Sequence, residues 1–318
     1  MSSTEAPPRP CVVVGREDAA DGVVTLTLRD AEGAPLPEWD AGAHVDLVLP
    51  DAVRQYSLCG AVGECGEYRI AVLREPESRG GSEYVHDRLA VGATVEVGGP
   101  RNHFAFEPAE RYVFIAGGIG ITPILPMIER AIAAGAEWEL FYGGRSRASM
   151  AFVDRLTELG DRVHVLPQDE VGLLDLVTAL ADVERADTLT YCCGPEPLLA
   201  AVEGRCGPAG LARLRVERFS SDVEIDRVGD QPFEVELVQT GVTLTVEPGV
   251  SILDAVLDAG VDVDSSCEEG TCGTCETDVL EGVPDHRDVV LTDAEQAAGA
   301  VMMICVSRCR SKKLVLDL

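Results

Sequence analysis

The chain has 318 residues, a net charge of −29 and 46% apolar residues. That is too long for one core of the usual ~100–150 residues and too apolar for a chain without a fold. So acidic a composition offers no basic footprint for nucleic acid or for an anionic membrane surface. No apolar run approaches the ~18 residues that cross a bilayer, and the N-terminus shows neither the basic nor the apolar region of a secretory signal. Of the eleven cysteines, seven (11, 59, 65, 192, 193, 206 and 309) are an odd number scattered without a disulfide framework. They point to a reducing cytoplasm.

Residues 1–107 read as a small antiparallel barrel. Val23–Leu28, His44–Leu49, Tyr68–Leu73 and Thr94–Val97 are short alternating runs bounded by Gly, Pro and Asp. Two stretches stand apart from that pattern. In Arg54-Gln-Tyr56-Ser57, period-two geometry puts Arg54 and Tyr56 on one face, where a guanidinium suits a phosphate and a phenol supplies a flat ring. Taken alone, such a pair is also an ordinary solvated one. Ser78-Arg-Gly80-Gly81-Ser82 leads into a short helix from Glu83 to Leu89, offering free backbone N–H groups at a positive helix end. The bland alternative is a turn with a serine cap.

Together these stretches resemble the flavin-binding signature of the ferredoxin–NADP reductase superfamily. The resemblance implies that Arg54 binds the flavin phosphate, Tyr56 packs on the ring system and Ser57 approaches flavin N5. The Ser-Arg-Gly-Gly-Ser turn is similar to the branch that binds FMN, with Ser78, Gly80, Gly81 and Ser82 at the phosphate.

Residues 108–226 read as an α/β domain with a parallel sheet. The apolar strand Arg111–Ala116 runs into Gly117-Gly118-Ile-Gly120-Ile-Thr122-Pro123 and a helix from Ile124 to Ala134. Strand, glycine turn and helix form the setting for a dinucleotide pyrophosphate, although Pro123 stands where the Rossmann fingerprint has its third glycine. The loop instead looks like the pyridine-nucleotide loop of the same superfamily. Strand Trp138–Tyr142 ends at Gly143-Gly144-Arg145-Ser-Arg147, and Arg145 and Arg147 are placed for an adenosine ribose, for a 2′-phosphate or for solvent alone. A third strand, Arg162–Leu166, and a fourth, Thr188–Cys192, follow. The fourth leads to Cys193-Gly194-Pro195, which resembles the superfamily motif whose cysteine lies beside the nicotinamide. Phe219 stands where an aromatic covers the flavin ring in relatives of the phthalate dioxygenase reductase type, with a core or linker phenylalanine as the alternative.

Residues 227–318 carry the most specific signal. Four residues separate Cys267 from Cys272, two separate Cys272 from Cys275, and 29 separate Cys275 from Cys305. This is the spacing of plant-type [2Fe–2S] ferredoxins. Structural zinc, the rival, usually brings a second Cys or His pair. A hairpin (Phe233–Val238, Val242–Val246), a helix capped by Ser251 and stopped by Gly260, the cysteine loop and a last strand at Leu314–Leu318 make a β-grasp ferredoxin order. The tail, with Asp285-His-Arg-Asp288 and Cys305-Val-Ser-Arg308, is similar to the ferredoxin domain of the phthalate dioxygenase and vanillate demethylase reductases.

The expectation is therefore a multidomain α+β protein: a flavin-binding barrel, a nucleotide-binding parallel sheet and a ferredoxin domain. NADH (or NADPH) would feed FMN and then the [2Fe–2S] cluster, with Ser57 and Cys193 at the hydride-transfer point. The electrons would leave to a separate acceptor, in keeping with the resemblance a Rieske-type oxygenase. Alternatives are a cytochrome P450 or other acceptor, and a redox sensor that does not turn over. From Phe233 onward 17 Asp and Glu face 5 Lys and Arg, so the ferredoxin domain is a candidate acidic docking face. A monomer is expected.

Overall fold

The structure is a computed structural model that describes residues 7–50, 52–63, 66–75, 80–219, 229–265 and 267–318. Ser78, from the expected phosphate turn, and the expected boundary at 226–227 lie outside the described residues. The chain divides into two compact units, Met1–Phe219 and Ser220–Leu318. No helix among the described residues is long and apolar enough to cross a membrane.

The first unit opens with six antiparallel strands: β1 (Arg9–Ala20), β2 (Val23–Asp30), β3 (His44–Leu49), β4 (Ala52–Ser57), β5 (Tyr68–Leu73) and β6 (Thr94–Arg101), with α1 (Gly81–Arg88) before β6. Their order is β4-β3-β6-β1-β2-β5, and a bridge from Leu58 to Ile70 joins the two ends into a barrel. Side chains such as Val13, Leu26, Val45, Leu47, Ile70 and Val97 fill its interior, as the period of two requires. The expected alternation fails on β2, where Val23 to Leu26 are all buried. Its outer face is covered too, since Val23, Cys59 and Ala71 pack into the core of the following sheet. The twelve-residue β1, which the charged run Arg16-Glu-Asp conceals in the sequence, carries two register shifts. Such bulges sharpen the twist that closes a barrel.

A five-stranded parallel sheet follows, in the order β11-β10-β7-β8-β9. Its strands are β7 (Arg111–Gly117), β8 (Glu137–Gly144), β9 (Val163–Pro167), β10 (Thr188–Cys193) and β11 (Leu214–Glu217), the last not expected from the sequence. Helices α2 (Ile121–Ala133), α3 (Val153–Thr157), α4 (Gln168–Val171), α5 (Leu176–Ala179), α6 (Glu196–Glu203) and α7 (Pro208–Leu211) connect them. Residues from α2 and α3 pack in one core, and residues from α5 and α6 in another. Strand β10 is buried along its whole length, as central parallel strands are.

Barrel and sheet are joined by polar contacts as well as apolar ones. Arg130 on α2 reaches Asp40 with two hydrogen bonds of 2.9 and 2.8 Å. Tyr191 on β10 donates to the carbonyl of Ala105 at 3.1 Å and accepts from the N–H of Glu107 at 2.8 Å. At Gly42 (φ 92°) a Cβ would stand 1.9 Å from the Phe104 carbonyl oxygen, so the chain crosses here only because the residue is glycine.

The second unit contains β12 (Phe233–Leu237), β13 (Val242–Val246), α8 (Ile252–Asp258), β14 (Glu276–Glu281), β15 (Pro284–Asp285), α9 (Asp293–Ala298), β16 (Val301–Met303), β17 (Arg308–Cys309) and β18 (Lys313–Leu316). The main sheet runs β13-β12-β18-β14-β16, with β12 and β18 parallel, and β15 pairs with β17. Ser251 caps α8 through a reciprocal pair with Asp254, its hydroxyl accepting from the Asp254 N–H at 2.9 Å. Gly260 follows the helix at φ 79°, the left-handed stop expected of it.

Gly42→Ala is expected to destabilise the first unit by about 2 kcal/mol or more, the order of a forced φ combined with overpacking. Thermal unfolding of the purified variant checks this, and an unchanged melting temperature would contradict the contact at Phe104.

Candidate functional site: electron entry and the cysteine centre

Strand β4 carries Arg54 and Tyr56 half-buried on one face and ends at the buried Ser57. Across the antiparallel pair they face Leu47, Val45 and His44. Arg54 runs over the start of α1, where a Cβ on Gly81 would lie 2.6 Å from its Cγ. Only glycine lets the arginine stem pass so close to the helix end. The helix starts at Gly81, two residues before the expected Glu83, and its cap position is Gly80 at φ 88° with no side-chain cap hydrogen bond. The sequence alternative of a serine-capped turn is therefore not what forms. An arginine laid beside the N-terminus of an eight-residue helix suits a phosphate. Ser82 turns its hydroxyl to the N–H of Glu75 at 3.1 Å. Burial pushes the Tyr56 phenol up to about 12, so it stays neutral and available for packing.

The glycine loop after β7 meets the cysteine loop after β10 backbone to backbone. These strands are neighbours, with Ala116 beside Cys193. A Cβ on Gly120 would stand 2.3 Å from the Cys193 carbonyl oxygen, one on Gly117 would stand 2.7 Å from Pro195 Cδ, and one on Gly194 would stand 3.0 Å from Gly117 Cα. Gly118, at φ 54°, has nothing within 4 Å of its Cβ position, which leaves its face open to a ligand. Thr122 closes the turn by donating to the Ile119 carbonyl at 3.0 Å. Helix α2 begins at Ile121, three residues earlier than expected, with Pro123 inside its first turn, where the missing N–H leaves no orphan.

Ser57 and Cys193 come together through a residue that the sequence did not single out. Glu217, the last residue of β11, is the register partner of Cys193. The Ser57 hydroxyl points to Glu217 Oε2 at 3.5 Å and the Cys193 thiol to the same oxygen at 3.8 Å. Burial pushes the Glu217 carboxyl up to about 8, against smaller lowering effects of Ser57 and Cys193. The Cys193 thiol is raised by burial first and by Glu217 second, so a neutral acid lies between a neutral thiol and a hydroxyl.

Arg145 and Arg147 are exposed beyond the end of β8. Arg147 pairs loosely with Glu170 at 3.6 Å, and the Arg145 carbonyl accepts the N–H of Asp169 at 3.2 Å. Phe219, 44% exposed, ends the described part of the first unit.

In the second unit Cys272, Cys275 and Cys305 are buried and Cys267 is half-buried. Hydrogen-bonding contacts order the thiols as a chain: Cys272 beside Cys267, Cys267 beside Cys305, and Cys305 beside Cys275. Among the described residues no group of three or more His, Cys, Asp or Glu gathers as for one metal ion. The end pairs Cys267/Cys272 and Cys275/Cys305 instead suit two irons that take two thiolates each. Backbone N–H groups already point at sulfur, from Glu269 (3.3 Å) and Thr271 (3.4 Å) to Cys267, and from Thr274 (3.4 Å) to Cys272. Left-handed residues aim them: Gly270 at φ 69°, Gly273 at φ 77° and, unexpectedly, Glu268 at φ 56°. Donors of this kind stabilise thiolate charge, so the residues fit an iron–sulfur cluster. Cys309 stands apart, bonded to the Ser311 carbonyl at 2.9 Å.

With the pKa of Glu217 raised above its unfolded value, the folded chain keeps a proton that the unfolded chain releases. Its stability contribution is full below the unfolded pKa of about 4.3 and is lost as pH rises through the folded value. Glu217→Gln should remove that loss, so the variant's melting temperature gains on the wild type as pH rises from about 4.3 towards about 8 and the gap levels off above it. Parallel pH profiles of the two proteins would show that Glu217 is already ionised.

Comparisons with known proteins identify two domain families in the chain. Residues 235–310 match the 2Fe-2S iron-sulfur cluster binding domain family, and residues 114–204 match the oxidoreductase NAD-binding domain family. Phenoxybenzoate dioxygenase subunit beta from Ectopseudomonas oleovorans is 47% identical over 302 residues, covering 94% of each chain. The crystal structure of an intact type IV self-sufficient cytochrome P450 monooxygenase superposes with a TM-score of 0.89 at 47% identity, over 98% of this chain but only 41% of that one. Phthalate dioxygenase reductase, described as a modular structure for electron transfer from pyridine nucleotides to [2Fe–2S], superposes with a TM-score of 0.69 at 35% identity over 98% of both chains. Joined to a [2Fe–2S] centre and an NAD-binding loop, these matches show that the chain belongs to the family of phthalate dioxygenase reductase and vanillate O-demethylase oxidoreductase.

Proposed function

We propose that this protein is the reductase component of an oxygenase system, passing electrons from NAD(P)H through FMN and a [2Fe–2S] cluster to a Rieske-type oxygenase on a separate chain. The observation that carries the reading is the convergence of Ser57 from the barrel and Cys193 from the nucleotide sheet on Glu217. When bound, the flavin takes up two electrons as a hydride and yields them singly, and the cluster carries one at a time.

The chain's own residues provide position and charge. Arg54 and the first N–H groups of α1 hold the flavin phosphate, with Gly80 and Gly81 giving room. Tyr56 packs against the ring system, Ser57 places its hydroxyl at the reacting edge, and Phe219 covers the ring. Gly117, Gly118, Gly120, Thr122 and Pro123 form the pyrophosphate turn, while Cys193, Gly194 and Pro195 shape the nicotinamide side. Arg145 and Arg147 stand where the adenosine end emerges. Glu217 keeps Ser57 and Cys193 in register and holds a proton within reach of the Ser57 hydroxyl. Cys267, Cys272, Cys275 and Cys305 hold the cluster.

Glu268 and Glu276, both exposed beside cluster cysteines, are docking contacts for a basic face on the acceptor. Reversing both to lysine, with the cluster intact, is expected to slow electron delivery to the oxygenase severalfold at low salt. The gap should narrow as the screening length falls to about 8 Å near physiological ionic strength. NADH oxidation by a small artificial acceptor should not change. Equal losses in both assays would remove the docking role.

Delivery to a cytochrome P450 is the second reading, favoured by the match to the P450 monooxygenase over 98% of this chain. Reconstitution decides between them. Substrate turnover with a Rieske oxygenase and none with a P450 supports the first, and the opposite result replaces it with the second.

A further inference from the structure

The segment Asp285-His286-Arg287-Asp288 lies between the third and fourth cluster cysteines, and none of the roles above uses it. Its side chains alternate in their partners. Asp285 and Arg287 belong to an ion-pair group: Arg287 meets Asp230 at 2.8 Å and Asp285 at 2.9 Å, and Arg310 meets Asp285 at 3.0 Å. Arg308 joins the group through Asp230 at 3.2 Å.

His286 and Asp288 are the buried pair, their side chains 7% and 0% exposed. One carboxylate oxygen of Asp288 accepts the N–H of Leu291 at 2.9 Å, and the other accepts the Ser307 hydroxyl at 3.4 Å. That hydroxyl in turn accepts the N–H of Arg287 at 3.2 Å. Ser307 is two residues beyond Cys305. On its other side the same turn holds the cysteine loop, for Val289 donates its N–H to the Gly270 carbonyl at 3.0 Å. The approach is tight. A Cβ on Gly270 would stand 3.0 Å from Asp288 Cα and 2.6 Å from Val306 Cγ2. His286 Nδ1 lies 3.6 Å from Asp288 Oδ1, too far for a hydrogen bond.

We infer that Asp288 is a positioning residue for the iron–sulfur site, clamping the loop that carries Cys267, Cys272 and Cys275 to the segment that carries Cys305. The clamp consists of its two accepted hydrogen bonds. It fixes the 288–291 turn, and the turn touches both cysteine-bearing segments. The need is plain from the spacing: 29 residues separate Cys275 from Cys305, and the covalent chain alone does not set the fourth thiolate against the other three. Residues behind the ligands hold them in place for binding, and their removal typically costs about 10–100-fold in metal affinity.

The inference rests on the [2Fe–2S] reading of the four cysteines, and the test separates the two. Iron release from the full-length holoprotein to a ferrous chelator under reducing conditions is measured for wild type, Asp288→Ala, Asp288→Asn and Ser307→Ala, together with the EPR spectrum of the reduced cluster. Asparagine keeps both links, since its amide oxygen accepts from Leu291 and its amide N–H donates to the Ser307 oxygen. Asp288→Ala is expected to lose iron about tenfold faster or more with altered g-values, Ser307→Ala by a smaller factor, and Asp288→Asn to stay within about twofold of wild type. If Asp288→Ala assembles no cluster at all, Ser307→Ala against Asp288→Asn carries the comparison. Wild-type rates and g-values in Asp288→Ala would overturn the clamp. So would Asp288→Asn failing as badly as alanine, because charge and not the hydrogen bonds would then hold the site. A wild-type protein that holds zinc in place of iron would sink the cluster reading itself.

Discussion

Gly120 and Cys193 meet through their backbones with no room for a methyl group between them, and the proposed electron-entry site depends on that contact. Gly117 and Gly194 repeat it one step away. These close approaches fix the height at which Cys193 emerges from the sheet, and the parallel register then sets Glu217 beside it. Ser57 arrives from the barrel, whose outer face is packed onto the same core. Three polar groups, each the last residue of its strand, thus converge from two sheets. Such rigidity matters for hydride transfer, which requires reacting atoms held within a few tenths of an ångström.

The cysteine centre is built by a different principle. There the backbone itself is bent so that its N–H groups face sulfur, at the cost of three left-handed residues within a short loop, Glu268, Gly270 and Gly273. Two are glycines and bear this without strain. Glu268 is not, and a non-glycine residue at positive φ is uncommon. Glu268 is exposed next to the half-buried Cys267. Directed donors inside the loop act on the charge of the sulfurs, and the acidic residues outside it are the contacts proposed for the encounter with the acceptor.

Much of this was legible in the sequence because it is local. The first three cluster cysteines, the Arg-x-Tyr-Ser strand and the two glycine loops each lie within about ten residues of chain, and each carries its own chemistry. The capping of α8 by Ser251 was readable for the same reason. What was not legible is non-local. Glu217 sits in a four-residue strand, Leu-Arg-Val-Glu, whose alternation resembles an ordinary exposed edge. Its importance arises only when β11 pairs with β10 and places it against Cys193. Strand β1 was hidden because its second half is charged and bulged. Asp288 stood in a stretch singled out only for its resemblance to a ferredoxin domain, with no role assigned, and its role emerges from its burial between Gly270 and Ser307. Arg145 and Arg147 show the opposite limit, since both lie in solvent and neither sequence nor packing separates the two nicotinamide dinucleotides.

The central claim is that one path connects nucleotide, flavin and cluster in this chain. Anaerobic titration of the holoprotein with NADH, followed by visible absorbance and low-temperature EPR, tests it most directly. The account predicts that flavin absorbance bleaches and that a rhombic spin-½ signal of a reduced [2Fe–2S] centre grows in the same titration. A flavin that is reduced while the cluster signal never develops, or a preparation with no iron–sulfur signal even after dithionite, would contradict it.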